Sequence, residues 1–344
     1  MRREWSSVKL TVSAADVKDV SRVLRRCIQN QPVIPIMAGI KLEAVGDELT
    51  ITATDGDKTA VASVRAEVDR EGAAVVNGKQ FISLASELEG NMSMEHREKI
   101  LEVWCGAGEY KFDALPPDGF PVTPDEPVGD SFIVEDIGRI AFAADSKSPY
   151  GALTCVCFND GEIIAADTVR MAIEKGLPFA GKSLVPASAV EGLVGYSVTL
   201  GPKVVKFAKD NVRLMVVVAD FEFVKYQHIT GSARFSVTAS VEKDAMLAAL
   251  RRLGAVESLW VGVEVSPSSV RLVGENDQGI KGYEVLSCDA TGEAKVMFDI
   301  KLLDEGVDHV PGATFTWRLA GPRDISVLES DDWSYWLLPV AHNV

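Results

Sequence analysis

Lys18, Arg22, Arg25 and Arg26 stand close together near the start of the chain. They lie in a stretch whose apolar residues Val17, Val20, Leu24, Cys27 and Ile28 fall at helical spacing. On a helix the basic side chains take a different side from the apolar ones. Such a stripe can hold phosphate oxygens without reading base edges. It can equally be a solvated outer face, with Arg25 and Arg26 favoured at a helix C-terminus by the macrodipole. Basic residues return on later helical stretches: Lys79 and Lys301 at matching positions, Arg139 and Lys147 in mid-chain, and Lys243, Arg251 and Arg252 further on. The chain as a whole is acidic, with 50 acidic and 35 basic residues and a net charge of −15. Repeated basic positions against that background point to one shared electropositive surface and to sequence-independent contact with nucleic acid.

Catalytic chemistry finds little footing. His96, His228, His309 and His342 are scattered, and there is no Gly-rich phosphate loop, G-x-S-x-G, H-E-x-x-H or Cys/His metal spacing. Asp55/Asp57 and Asp331/Asp332 sit in turn-like contexts. A scattered acidic site that includes Asp55 and Asp167 is the one enzymatic reading left. No catalytic residue, metal or cofactor is assigned. Cys27, Cys105, Cys155, Cys157 and Cys288 form no C-x-x-C pair, and Cys155 and Cys157 alternate as core residues of a strand would. That usage, with no signal-peptide pattern and no long apolar run, leads us to expect a reducing, cytoplasmic setting and no membrane span.

The elements that position these residues repeat. Segments beginning at Val76, Val185 and Phe298 each read as a strand end entering a short amphipathic helix. Residues 48–61 and 162–173 each read as strand, turn at Asp55 or Asp167, strand, and 269–286 holds that place more loosely. An early helix is expected at about 14–29, 134–146 and 242–255. The fold class is therefore α+β, in three similar domains at 1–127, 128–232 and 233–344, each with two helices packed on sheets. Pro- and Gly-rich residues 115–131 make the first boundary, and 226–234 the second.

Several stretches resemble the bacterial DNA polymerase III beta subunit, the sliding clamp family, through essentially the whole chain. QPVIPIMAGIKLEAVGDELTITATD (31–55) resembles its Pro-Ile-Leu segment and the strand pair that follows. YKFDALPPDGFP (110–121) resembles the end of its first domain, LTCVCFNDGEIIAADTVRMAI (153–173) its Ala-Thr-Asp-Gly-His-Arg-Leu-Ala segment, and YWLLPV (335–340) its C-terminal Val-Met-Pro-Met. The resemblance implies two chains joined head to tail in a six-domain ring, with helices inside and sheets outside. It implies a homodimeric replication processivity factor with no active site, whose partners are duplex DNA and, through short linear motifs, DNA polymerase and clamp loader. Tyr110 and Phe112, with Val256 on the third domain, would lie at the dimer interface. Leu153, Thr168, Val169, Arg170, Met171, Val224, His228, Ile229, Trp336, Leu338, Pro339 and Val340 would form the peptide-binding pocket.

The departures from the family have consequences. Thr168-Val169 replaces Gly-His, His228 replaces a common Arg, and Trp336 replaces a smaller Val. Ala187 and Ser188 replace basic residues, and Gln31 stands where a DNA-contacting Arg can occur. They imply altered motif specificity and weaker DNA contact by the second domain, as in a divergent clamp of the kind a phage or mobile element carries. A clamp-like protein that captures peptides without encircling DNA is the alternative.

Overall fold

The computed structural model describes residues 7–29, 32 and 34–340; Gln31 lies outside them. The chain begins with Lys9–Ser13 (β1), Ala14–Arg25 (α1), Gly39–Val45 (β2), Glu48–Thr54 (β3), Lys58–Arg70 (β4), Gly72–Asn77 (β5), Gly78–Glu87 (α2), Asn91–Arg97 (β6), Ile100–Cys105 (β7) and Gly108–Leu115 (β8). It continues with Ser131–Asp136 (β9), Gly138–Ala141 (α3), Cys155–Asn159 (β10), Glu162–Ala166 (β11), Arg170–Glu174 (β12), Lys182–Pro186 (β13), Ala187–Val190 (α4), Val194–Thr199 (β14), Val204–Lys209 (β15) and Val212–Val217 (β16). After Tyr226–Ser232 (α5) come Val237–Glu242 (β17), Lys243–Gly254 (α6), Trp260–Ser266 (β18), Ser269–Glu275 (β19), Lys281–Ser287 (β20), Asp289–Ala290 (β21), Ala294–Asp299 (β22), Ile300–Asp308 (α7), Thr314–Leu319 (β23), Ser326–Ser330 (β24) and Trp333–Leu337 (β25). Setting aside α5 and the two-residue β21, one order occurs three times: strand, helix, four strands, helix, three strands. The threefold α+β repeat expected from the sequence is therefore present.

Side-chain chemistry sets these elements locally. In β1 and β18 alternate residues are buried, as strands with one covered face require. Three of the helices open on a side-chain cap that takes an otherwise unpaired N–H. Ser13 accepts from Asp16 N (3.4 Å), Asn77 from Gln80 N (3.0 Å), and Asp299 from Lys301 N (2.9 Å) and Leu302 N (3.1 Å). Losing such a cap costs about 1 kcal/mol. The turns recur as well. Asp55 Oδ1 accepts from the N–H groups of Asp57 and Lys58, Asp167 Oδ1 from Val169 and Arg170, and Asn276 Oδ1 from Gln278 and Ile280. The carboxylates of Asp55 and Asp167 are thus engaged in turn formation.

Two compact units result. One comprises Met1–Val134 with Gly195–Val218. Its sheet runs β1-β6-β7-β8-β5-β2-β3-β4-β16-β15-β14-β9, and α1 packs on α2. The other comprises Glu135–Val194 with Ala219–Val344. It holds the sheet β13-β10-β11-β12-β25-β24-β23-β17-β21 and a four-stranded sheet β20-β19-β18-β22, with α3 against α4 and α6 against α7.

The middle helix differs from expectation. Residues 134–136 belong to β9, where Phe132 and Val134 are buried and Ser131, Ile133 and Glu135 exposed, and α3 covers only Gly138–Ala141. Beyond it the bonds tighten to Ala143 N–Ile140 O and Ala144 N–Ala141 O. Asp145 N then turns away to Leu153 O (2.9 Å), which ends the helix. Residues 226–234 hold α5. Cys155 and Cys157 lie buried on one face of β10, and all five cysteines are free. Among the described residues no helix is long and apolar enough to cross a membrane.

Candidate functional site

In α1, Val17, Val20 and Leu24 are buried while Lys18, Arg22 and Arg25 are exposed. Arg25 Nη2 reaches Ser86 Oγ of α2 (3.2 Å). Among the described residues, Lys18 and Arg22 make no side-chain hydrogen bond or ion pair, and Lys79, at the start of α2, is exposed.

The other unit spends much of its basic charge internally. Lys243 Nζ donates to the carbonyls of Asp308 (2.8 Å) and Val310 (2.7 Å), closing the C-terminal end of α7. Arg251 pairs with Asp308 (3.2 Å), and Arg252 grips Glu284 through two bonds of 2.8 Å. Arg139 lies 3.7 Å from Glu135, while Lys147 and Lys301 are exposed.

The residues expected to receive a partner peptide lie wholly in the second unit. Leu153, Met171 and Trp336 are buried in one cluster with Cys155, Cys157, Phe223 and Tyr226. Met171 of β12 pairs with Trp336 of β25, so both point to that face. Trp336 Nε1 donates to Ser334 Oγ (3.1 Å), and its ring lies 6.1 Å from that of Phe235. Val169, Val224, Ile229 and Leu338 are exposed, as are Thr168 and His228, while Pro339 and Val340 are half-buried. Leu338 N bonds Val169 O (2.9 Å), joining two of these segments. Tyr226 fixes the start of α5: its hydroxyl donates to Glu162 and accepts from Asn159 Nδ2 (3.2 Å). Burial and the Glu162 carboxylate raise the phenol pKa, so it stays protonated.

Arg170 belongs elsewhere. It alternates with Met171 along β12, and its guanidinium bonds Asp167 Oδ2 (Nε, 2.9 Å) and Glu305 of α7, and lies 5.6 Å over the Phe142 ring. Phe142 stacks on His309 at 3.9 Å, and Tyr335 donates its hydroxyl to Leu302 O (2.9 Å). Burial acts to lower the Arg170 pKa, but the Glu305 bond and surrounding negative charge hold it above its ordinary value. This network ties β12 to α7.

Two residues not singled out in the sequence stand at the turn that carries Leu153. Tyr150 is 67% and Phe221 52% exposed, and a Cβ at Gly151 would come within 2.3 Å of the Phe221 ring. Exposed aromatics in loops, one between Asp220 and Glu222, were the available signal.

Among the open strand edges of the described residues, those of β8 and β20 bear on assembly. β8 pairs with β7 on one side, but with β5 only at Ala114 and Leu115 on the other, and β20 pairs only with β19. Tyr110 and Phe112 lie on β8. They border a cavity of about 760 Å³ lined also by Pro35, Gln80, Leu84 and Ile100, and Phe112 packs 5.8 Å from Phe81. In the second unit Leu259, Ile280, Tyr283 and Val285 are exposed on or near β20, and Val256 is half-buried with its carbonyl held by Asn276 Nδ2 (3.0 Å).

Residues 8–124 match the model of the DNA polymerase III beta subunit, N-terminal domain. The beta sliding clamp of Caulobacter vibrioides is 21% identical over 350 residues, covering 92% of this chain and 94% of that protein. The beta sliding clamp homolog GriR of Streptomyces muensis is 28% identical over 175 residues; the match takes in 46% of this chain and 46% of that protein, so this chain spans about half the length of that relative. A crystal structure of the C. crescentus beta sliding clamp superposes with a TM-score of 0.87 at 19% identity, covering 98% of this chain and 100% of that one.

Proposed function

We propose that this chain, a divergent member of the DNA polymerase III beta subunit family, is a sliding clamp. Two copies close into a ring around duplex DNA, and the ring tethers DNA polymerase and clamp loader through their short linear motifs. The observation that carries this reading is the pattern of joined and open strand edges. The third strand of the four-strand run in the first repeat, β4, pairs with the final strand of the second, β16; likewise β12, third in the run of the second repeat, pairs with β25, the final strand of the third. The same rule leaves one edge of β20 in the third repeat and one of β8 in the first without its counterpart. A second copy arranged head to tail supplies each with the other, and a heterologous contact of this kind closes on itself as a ring. The apolar residues beside both edges, Tyr110 and Phe112 on one and Tyr283 and Val285 on the other, suit such a junction. The three repeats are then clamp domains at 1–127, 128–232 and 233–344.

In a ring, DNA is held by topology. Weak phosphate contacts from Lys18, Arg22, Arg25, Arg26 and Lys79 suffice, and the acidic remainder discourages binding outside. The chain performs no chemistry itself. The cleft walled by Val169, Val224, Ile229 and Leu338 over Leu153, Met171 and Trp336 takes the apolar anchor of a partner peptide. Trp336 makes its floor shallower than a Val would.

The test is the solution mass across a dilution series. A mass near 74 kDa, twice 37.1 kDa, supports the ring; 37.1 kDa throughout removes it. The second reading, a peptide-capturing protein that does not encircle DNA, draws on the internal pairing of Lys243, Arg251 and Arg252.

A further inference from the structure

We propose that Lys209, seated on Tyr196 beside the C-terminal end of α1, is a further contact for the duplex backbone and supplies the charge that the second repeat's short helix α4 lacks. The inference rests on the DNA-binding reading above. Helix α4, Ala187–Val190, carries no basic residue. In the same repeat, Lys209 at the end of β15 places its ammonium 5.9 Å from the centroid of the Tyr196 ring. The ammonium also lies 3.5 Å from where a Cβ on Gly195 would stand, which places it directly over that glycine.

The turn bearing Lys209 is rigid. Asp210 takes a φ of 51°, and Asn211 is pinned to β4 twice: its Nδ2 donates to Ser63 O (2.6 Å) and its carbonyl accepts from Ser63 N (3.0 Å). The surroundings are cationic. Burial raises the pKa of the Tyr196 phenol, but Arg22 of α1 and Arg26, which caps that helix, are close enough for their positive charge to pull it back, with Asp210 opposing them. Three cations from two elements thus converge on one half-buried tyrosine, against the single acidic group Asp210 that acts on it. A fixed, water-facing group of this sort suits phosphate oxygens. The aromatic ring positions the ammonium and reads no base, so the contact is independent of sequence.

The test is binding of a short labelled duplex to the full chain over a range of salt concentrations, followed by anisotropy. Lys209→Ala should weaken binding at low salt and reduce the slope of log affinity against log salt by about 0.9, the value for one lost phosphate contact on duplex DNA. Tyr196→Phe should match the wild type, and Tyr196→Ala should fall between the wild type and Lys209→Ala. Lys203→Ala removes the same charge at the opposite end of these strands and should leave the slope alone; Lys203 and Lys209 are both exposed, so neither change should alter the thermal midpoint. An unchanged slope for Lys209→Ala, an equal drop for Lys203→Ala, or an effect confined to single-stranded DNA would each overturn this contact while the clamp reading stands. A wild type that binds no duplex at any salt would overturn the clamp reading and this contact with it.

Discussion

Replacing Arg170 by Met tests the assignment of its side chain to the join between β12 and α7. The guanidinium side chain is 11% exposed, with partners Asp167 at 14% and Glu305 at 35%. Removing one member of a fully buried ion pair costs about 3–5 kcal/mol, because the remaining charge is left without compensation. Glu305 is open enough to regain water, so that figure is an upper bound, and a cation–π contact with Phe142 adds about 1 kcal/mol. The expected loss is therefore about 2–4 kcal/mol. Urea denaturation, with the transition fitted separately for each unit, reads it. Glu305→Gln, alone and combined with Arg170→Met, closes a double-mutant cycle whose coupling should exceed about 1 kcal/mol. A loss below about 0.5 kcal/mol, together with a changed affinity for a clamp-binding peptide, would mean that Arg170 reaches into the cleft and that this placement is wrong.

Three further outcomes are expected. Burial holds the pKa of His96 below its ordinary value, the Glu98 backbone opposing only in part; the folded state therefore favours the neutral ring. Stability should fall as pH drops below about 6.5, and the urea midpoint of His96→Leu should lose that component of the pH dependence. Trp336→Ala should cost about 3–5 kcal/mol by opening a void under the cleft. Calorimetry should then show tighter binding of a peptide carrying a bulkier anchor, and a melting temperature equal to that of the wild type would refute the packing. Of the five thiols, Cys27, Cys155 and Cys157 are buried whereas Cys105 and Cys288 are partly exposed; burial pushes Cys27 and Cys157 up to about 12 and also raises Cys155 and Cys288, so access decides the order of reaction. Only Cys105 and Cys288 should react promptly with a thiol reagent in the native protein, whereas all five should react in denaturant.

The repeat was legible because its signals are local. Asn77 and Asp299 mark helix starts, Asp55 and Asp167 mark turns, and each acts within three residues along the chain. Asn276 plays the same part in the looser third copy, where the shared signal is an Asx turn rather than an identical residue. The middle helix was overextended because Ile133 to Ala144 carries enough apolar residues to imitate an amphipathic face, while β9 wins through its period-two burial.

The fate of the basic residues could not be read from sequence at all. Arg252 meets Glu284 thirty-two positions away, and Lys243 meets the carbonyl of Val310 sixty-seven away. Such pairings exist only once α6, α7 and β20 are folded. The same holds for Arg170, whose neighbour Met171 faces the cleft while its own partner Glu305 lies 135 residues on. The place of Phe221 was not legible either, because its seat on Gly151 is a contact between distant segments.

The central claim is that two copies of this chain encircle duplex DNA. The most direct measurement loads the labelled protein onto nicked circular DNA with a clamp loader, isolates the complex, and then cuts the circle once. Topological holding predicts that the protein stays on the intact circle through gel filtration at elevated salt and leaves when the ends become free. Protein that dissociates equally from circle and line, or that stays bound after cutting, would contradict the ring.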